Sequence, residues 1–244
     1  MGALRILMYH VIGDRDEPAA RFVVPLGAFE RQMAWLARLH FNVMRLEDAV
    51  QRLLSGERLP PRAVVLTFDD GTRDMRTLAL PVLERHGFPA TAFIVTRAMG
   101  EAVSWTERAG IAGRPIMSWD EARELQPLVS LQPHTRTHPS LPTLDDAQLA
   151  DEVRGSRTDL EARTGRAHEF FAYPYGHFDE RVAASVADAG YTASLSVKWG
   201  LSGHDTPRYE LRRLAVHGDE SFARFVRTVC LTGTRKRLRK MLRR

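Results

Sequence analysis

The chain has 244 residues, 44% of them hydrophobic and 27% charged, a globular composition that excludes a disordered, collagenous or coiled-coil chain. Its net charge is +5, yet seven basic side chains (Arg235, Lys236, Arg237, Arg239, Lys240, Arg243, Arg244) fall within the last eleven residues, and the remaining body carries 28 basic against 30 acidic residues. The basic character belongs to a tail, so no nucleic-acid partner is expected for the body.

From the N-terminus, Leu4–Tyr9 is an apolar run of strand length that ends at His10. It is too short for a signal-peptide core, position 6 is Ile where a myristoylation signal needs Ser or Thr, and no later stretch approaches the roughly 20 apolar residues of a membrane span. With the single Cys230 excluding an internal disulfide framework, a cytoplasmic chain is expected. Phe29, Met33, Leu36 and Ala37 then recur at helical spacing. Ala63–Phe68 and Ala90–Val95 are further strand candidates, separated by a helical stretch punctuated by Pro81 and Gly87, and Arg97–Arg114 reads as a loop insertion. Val129–Gln132 precedes a helix with Leu149, Val153 and Leu160 on one face, ended by Gly165. Glu169–Ala172, Tyr191–Ser196 and Leu211–Val216 complete seven strand candidates, with Gly190 between the first two.

Most of these runs are apolar at consecutive positions, as strands buried on both faces are. Alternating strands and helices predict an α/β chain with a mostly parallel sheet, and periodicity leaves open whether seven strands close into a barrel. One domain spanning residues 1–233 and a basic tail at 234–244 are expected.

Three segments carry chemistry. In Val64–Gly71 an apolar strand runs into Asp69, Asp70 and Gly71, and ligand sites on parallel sheets gather at that end of the strands. The alternative is a plain turn with one aspartate capping the next helix. In Pro133–Pro139, His134 and His138 stand four apart in a proline-flanked loop that again follows a strand candidate. Two histidines and one carboxylate hold a divalent metal and leave positions open to water and substrate; alone, such a histidine pair is more often an incidental spacing. In Phe170–Gly176 a strand ends in a Pro-Tyr-Gly turn, which either simply reverses the chain or offers backbone N–H groups and aromatic walls to a ligand.

In this order the three segments resemble the polysaccharide deacetylases of carbohydrate esterase family 4, the NodB-type domain. The family's Thr-Phe-Asp-Asp-Gly stands at Thr67–Gly71, its His-[Ser/Thr]-x-x-His is met by His134, Thr135 and His138, and its third motif by Tyr173–Gly176. The resemblance covers roughly Leu4 to Phe225. It implies a single-domain, distorted (β/α) barrel of about seven parallel strands and metal-assisted removal of N-acetyl groups. It further implies that Asp69 is the general base, that Asp70, His134 and His138 bind the metal, and that the Tyr175 backbone N–H stabilises the oxyanion.

Leu7–His10 is similar to the start of the poly-N-acetylglucosamine deacetylase branch, which implies His10 as general acid; His217 in Leu214–His217 competes for that role. Many members begin the third motif with an arginine that steadies the catalytic aspartate. Phe171 or Ala172 stands there instead, and Arg213 is the candidate to replace it in space. Nitrogen and oxygen ligands with an open position suit zinc best, and cobalt, nickel or iron share the same donors. The expected partner is an N-acetylhexosamine polymer, oligosaccharide or lipid-linked glycan, with a small N-acyl compound or a catalytically inactive carbohydrate-binding module as rivals. Trp105, Trp119 and Trp199 are candidate stacking surfaces for sugar rings. In the tail, Leu238, Met241 and Leu242 interleave with basic residues, which suits a helix lying on an anionic membrane and equally a solvated terminus.

Overall fold

Strands that are apolar on both faces need cover on both sides, and the chain supplies it by winding helices around a curved parallel sheet. The structure, a computed structural model, describes residues 3–14, 17–107 and 110–232. In chain order the elements are β1 (Arg5–Tyr9), β2 (Val11–Gly13), β3 (Val23–Pro25), α1 (Leu26–Arg38), β4 (Asn42–Val43), α2 (Leu46–Ser55), β5 (Ala63–Phe68), α3 (Leu80–His86), β6 (Ala90–Ile94), α4 (Trp119–Glu124), β7 (Val129–Pro133), α5 (Asp146–Thr164), β8 (Phe170–Ala172), α6 (Glu180–Asp188), β9 (Ala193–Trp199), β10 (Leu211–Ala215) and α7 (Phe222–Leu231). Among the described residues no helix is long and apolar enough to cross a membrane. The basic tail, with its expected domain boundary and membrane contact, lies outside the described residues.

The main sheet runs β7-β6-β5-β1-β10-β9-β8 with every neighbouring pair parallel. Each of the seven strand candidates overlaps one of these strands, and the sheet curls into a nearly closed barrel, so the open alternative is set aside. β7 and β8 stand at the two ends of the hydrogen-bonded path, and side chains stitch the seam between them. His168 Nδ1 donates to Leu131 O at 2.8 Å, Gln132 Oε1 accepts the Phe170 N–H at 3.0 Å, and His134 Nδ1 donates to Ala172 O at 2.7 Å. The short β2–β3 pair and β4 beside β5 were not expected from sequence, because two or three residues are too few for a period to register.

Strand alternation divides the core. Leu7, Tyr9, Leu66 and Phe68 face outward into a cluster with Phe29, Met33 and Leu36 of α1 and with α3 and α7. Ile6, Val65, Phe93, Ala172, Leu195 and Leu211 come from strands around the whole barrel and meet in its interior. Leu46, Ala49, Val50 and Leu53 of α2 join that inner cluster beside residues at the strand starts, so α2 plugs the N-terminal mouth. The carboxyl-terminal mouth is left for side chains that do chemistry. Helix ends agree with the sequence: α5 opens with an Asp145–Gln148 capping box and stops at left-handed Gly165.

Candidate active site

Adjacent residues on a strand point to opposite faces, so two neighbouring aspartates share a pocket only if the chain turns between them. The Asp69 N–H still donates to Tyr9 O at 3.0 Å, extending the β1–β5 pairing, and the chain then turns left-handed at Asp70 (φ 75°) and Gly71 (φ 74°). A Cβ on Gly71 would stand 3.1 Å from Ile94 Cγ2, so the glycine supplies both the backbone freedom and the room. The left-handed Asp70 costs about 1–3 kcal/mol, the kind of strain that collects at functional sites. The next helical turn begins after Asp74, with neither Asp69 nor Asp70 as its cap. The capping alternative is thereby set aside.

Asp69 is buried against Arg213, itself 1% exposed, in a bidentate pair: Nη1–Oδ1 and Nη2–Oδ2 are both 2.7 Å. Arg213 is fixed in turn by Nε donating to Ser196 O at 3.0 Å. Burial alone would raise the Asp69 carboxyl; the Arg213 guanidinium, helped by His134 and His10, outweighs it and holds the group below the usual carboxylate range. Asp69 is thus an ionised, oriented acceptor in a site that would otherwise favour its acid. The arginine absent from the third motif reaches this carboxylate from β10.

The histidine loop is equally strained, with positive φ at Thr135 (69°) and His138 (63°). Thr135 Oγ1 accepts the His138 N–H at 2.9 Å and closes the turn. His134 uses Nδ1 as donor to Ala172, so its Nε2 carries the lone pair and stands 3.7 Å from Asp70 Oδ1. His138 Nε2 stands 3.4 Å from the same oxygen, while its buried Nδ1 has no hydrogen-bond partner among the described residues. Burial, reinforced by His138, lowers the His134 pKa to about 4, which keeps the ring neutral as a ligand must be. Burial pushes Asp70 upward, but His138, His10 and His134 outweigh it and keep the carboxyl far below its usual value.

One donor atom from each of Asp70, His134 and His138 lies within 4.8 Å of the others, and all three residues are buried. Two donors on a tetrahedral zinc with bonds of about 2.0–2.1 Å stand ~3.4 Å apart, close to the 3.4 and 3.7 Å separations from Asp70. The three residues fit a divalent metal, and the cluster is closed on the protein side while open to the cavity.

That cavity measures about 300 Å³ and is lined by Asp69, Asp70, His134, His138, His10, His217 and Tyr175, among others. Every residue singled out in the sequence for catalysis or metal binding therefore reaches one pocket. Tyr175 (φ 57°) sets its ring edge-on to His138 at 4.6 Å and donates its hydroxyl to Trp105 O at 2.9 Å. The Trp105 ring stacks on His138 at 4.7 Å. Phe22 lies against both acid candidates, 4.8 Å from the His10 ring and 6.1 Å from that of His217. The His217 Nδ1 is 3.4 Å from Glu220 Oε1. Burial lowers the His10 pKa, and the nearby Asp70 and Asp69 oppose it.

Of the tryptophans, Trp105 and Trp199 line the cavity and Trp119 does not: it packs against the outer core, with Arg163 over its ring at 5.3 Å. Trp199, 48% exposed, and Val197 ride on the end of β9, which projects beyond the barrel. The Arg97–Arg114 segment is more than an insertion, since Trp105, Thr106 and Ile111 form one wall. Arg21 and Phe22 also line the pocket without having been singled out. They lie outside any periodic stretch, in a connection whose position is set only by tertiary folding.

A family model described as polysaccharide deacetylase matches residues 56–194. A Bacillus subtilis (strain 168) protein, YxkH, whose name places it with the polysaccharide deacetylases, is 27% identical over 214 residues, covering 87% of this chain and 71% of its own. The poly-beta-1,6-N-acetyl-D-glucosamine N-deacetylase of Staphylococcus aureus is 22% identical over 216 residues, covering 84% of this chain and 71% of its own. Among solved structures, the Streptococcus pyogenes deacetylase PplD in complex with acetate superposes with a TM-score of 0.81 at 21% identity, over 93% of this chain and 98% of its own. That likeness establishes the barrel.

Proposed function

The chain belongs to the polysaccharide deacetylase family, and on that premise we propose that it hydrolyses the N-acetyl group of an N-acetylhexosamine-containing polysaccharide, oligosaccharide or lipid-linked glycan. The observation that carries this reading is the buried Asp69–Arg213 pair beside the Asp70–His134–His138 cluster, all at one mouth of the barrel. Asp70, His134 and His138 would hold a divalent cation, zinc by preference, which would supply Lewis acidity toward the amide carbonyl and water.

Asp69 accepts the proton of the attacking water, and its pairing with Arg213 keeps it ionised for that task. The Tyr175 backbone N–H is assigned to the developing oxyanion, in a turn where Tyr175 and Gly176 are both left-handed. His10 protonates the amine as the C–N bond breaks, leaving acetate and a free amino sugar. The place of His10 at the end of β1, on the cavity wall shared with both aspartates, supports it over His217, whose Nδ1 faces Glu220. Trp105 and Trp199 offer aromatic faces to the sugar at the rim.

Acetate release from chitooligosaccharides, measured against release from small N-acyl compounds, tests the substrate class. Turnover of the small compounds alone would replace the glycan with a small-molecule amide. His134→Ala should lose metal by elemental analysis, and an unchanged metal content removes His134 from the ligand set. His10→Ala should slow amide hydrolysis by about 100- to 10,000-fold yet spare an activated acetyl ester, whose leaving group needs no proton. If His217→Ala gives that pattern instead, the acid assignment moves to His217.

A further inference from the structure

Thr135 and His138 hold left-handed backbone conformations that side chains resist, Thr135 the more so for being β-branched. Such a loop keeps its shape only where its surroundings over-determine it. Those surroundings are one face of α5, where Glu152, Gly155 and Asp159 recur three and four residues apart. Glu152 is buried and accepts three bonds: the Arg136 N–H at 2.8 Å and the Thr137 N–H at 3.0 Å on Oε2, and the Thr137 hydroxyl at 2.5 Å on Oε1.

Between the two ligand histidines, the Arg136 side chain lies across the helix. Its guanidinium forks onto Asp159, with Nε–Oδ2 at 2.8 Å and Nη2–Oδ1 at 2.7 Å, and also reaches Asp151. Asp159 Oδ2 also accepts the Thr96 hydroxyl at 3.0 Å, and the Thr96 N–H donates to Thr135 O at 3.1 Å. Gly155 is where the arginine crosses: a Cβ there would stand 2.4 Å from Arg136 Cζ. Glycine weakens a helix interior, so its place under the guanidinium has a reason in what crosses it.

We propose that Glu152, Gly155 and Asp159 form a cradle that sets the positions of His134 and His138 and thereby the affinity of the site for a divalent cation. They are positioning residues, acting through Arg136 and the loop backbone. The inference rests on the reading of Asp70, His134 and His138 as metal ligands.

Titration of the full chain with cobalt(II), following calorimetric affinity and the visible absorption of the bound ion, tests it. Glu152→Ala should bind cobalt about 10- to 100-fold more weakly and alter the absorption spectrum. Glu152→Gln, whose amide oxygen accepts the two N–H groups while its NH₂ meets the Thr137 hydroxyl, should recover most of the affinity. Gly155→Ala should leave the melting temperature unchanged or raised and still weaken cobalt binding, a pair of opposed signs that a merely structural role does not give. Folded Glu152→Ala or Gly155→Ala protein with wild-type affinity and spectrum overturns the cradle and leaves the deacetylase reading intact. A wild-type chain that takes up no cobalt overturns both.

Discussion

Asp69→Asn is expected to lower turnover by about 100- to 10,000-fold while metal remains bound. The amide keeps the shape of the carboxylate but has no basicity with which to accept a proton, and Asp70, His134 and His138 are untouched by the change. The substitution also leaves the buried Arg213 without its counter-charge, so part of any loss can come from a weakened fold. A double variant separates the two effects. Asp69→Asn with Arg213→Met removes both charges of the pair and should recover part of the lost stability without recovering turnover, because stranding one buried charge is the costly step. Acetate release, metal content and denaturation measured on the single and double variants decide it. Full activity in Asp69→Asn removes the residue from the role of base.

Arg213→Met alone should destabilise the chain by about 3–5 kcal/mol, the cost of stranding a buried charge, and should change the sign of one pH dependence. In the native chain Asp69 titrates below the usual carboxylate range because Arg213, with His134 and His10, outweighs burial. Its contribution to stability is therefore present above that range and lost as pH falls through the lowered value. Without the arginine, burial dominates and the carboxyl titrates above the usual range, so it penalises folding increasingly as pH rises through that window. Stability curves measured from acid to neutral pH should diverge accordingly, and the acid limb of kcat/KM should move upward. Parallel stability curves with an unmoved acid limb would mean that Arg213 does not govern Asp69.

Much of this site is legible in sequence because its parts are local. Asp69, Asp70 and Gly71 are contiguous, His134 and His138 share one loop, and each group follows an apolar run that β5 or β7 realises. What sequence hides is what folding alone brings together. Arg213 lies 144 residues from Asp69: the arginine missing from the third motif makes it a candidate in sequence, but no spacing rule links the two, and only the proximity of β10 to β5 around β1 does. Trp119 and Trp199 are indistinguishable as letters, yet α4 turns one into the outer core and the overlong β9 lifts the other into the cavity rim. The choice between barrel and open sheet was hidden for the same reason, since closure depends on Gln132, His134 and His168 reaching across to backbone they do not neighbour in the chain.

That seam bears on what the two end strands of the sheet offer to other chains. A strand without a partner offers a row of donors and acceptors to any passing strand, which is how sheets recruit other chains. Here the edges of β7 and β8 meet imidazole and carboxamide groups from the same chain, and one of them, His134, also belongs to the candidate metal cluster. A candidate ligand at the mouth thus also covers a strand edge, and its loss would unblock the Ala172 carbonyl along with the candidate metal site.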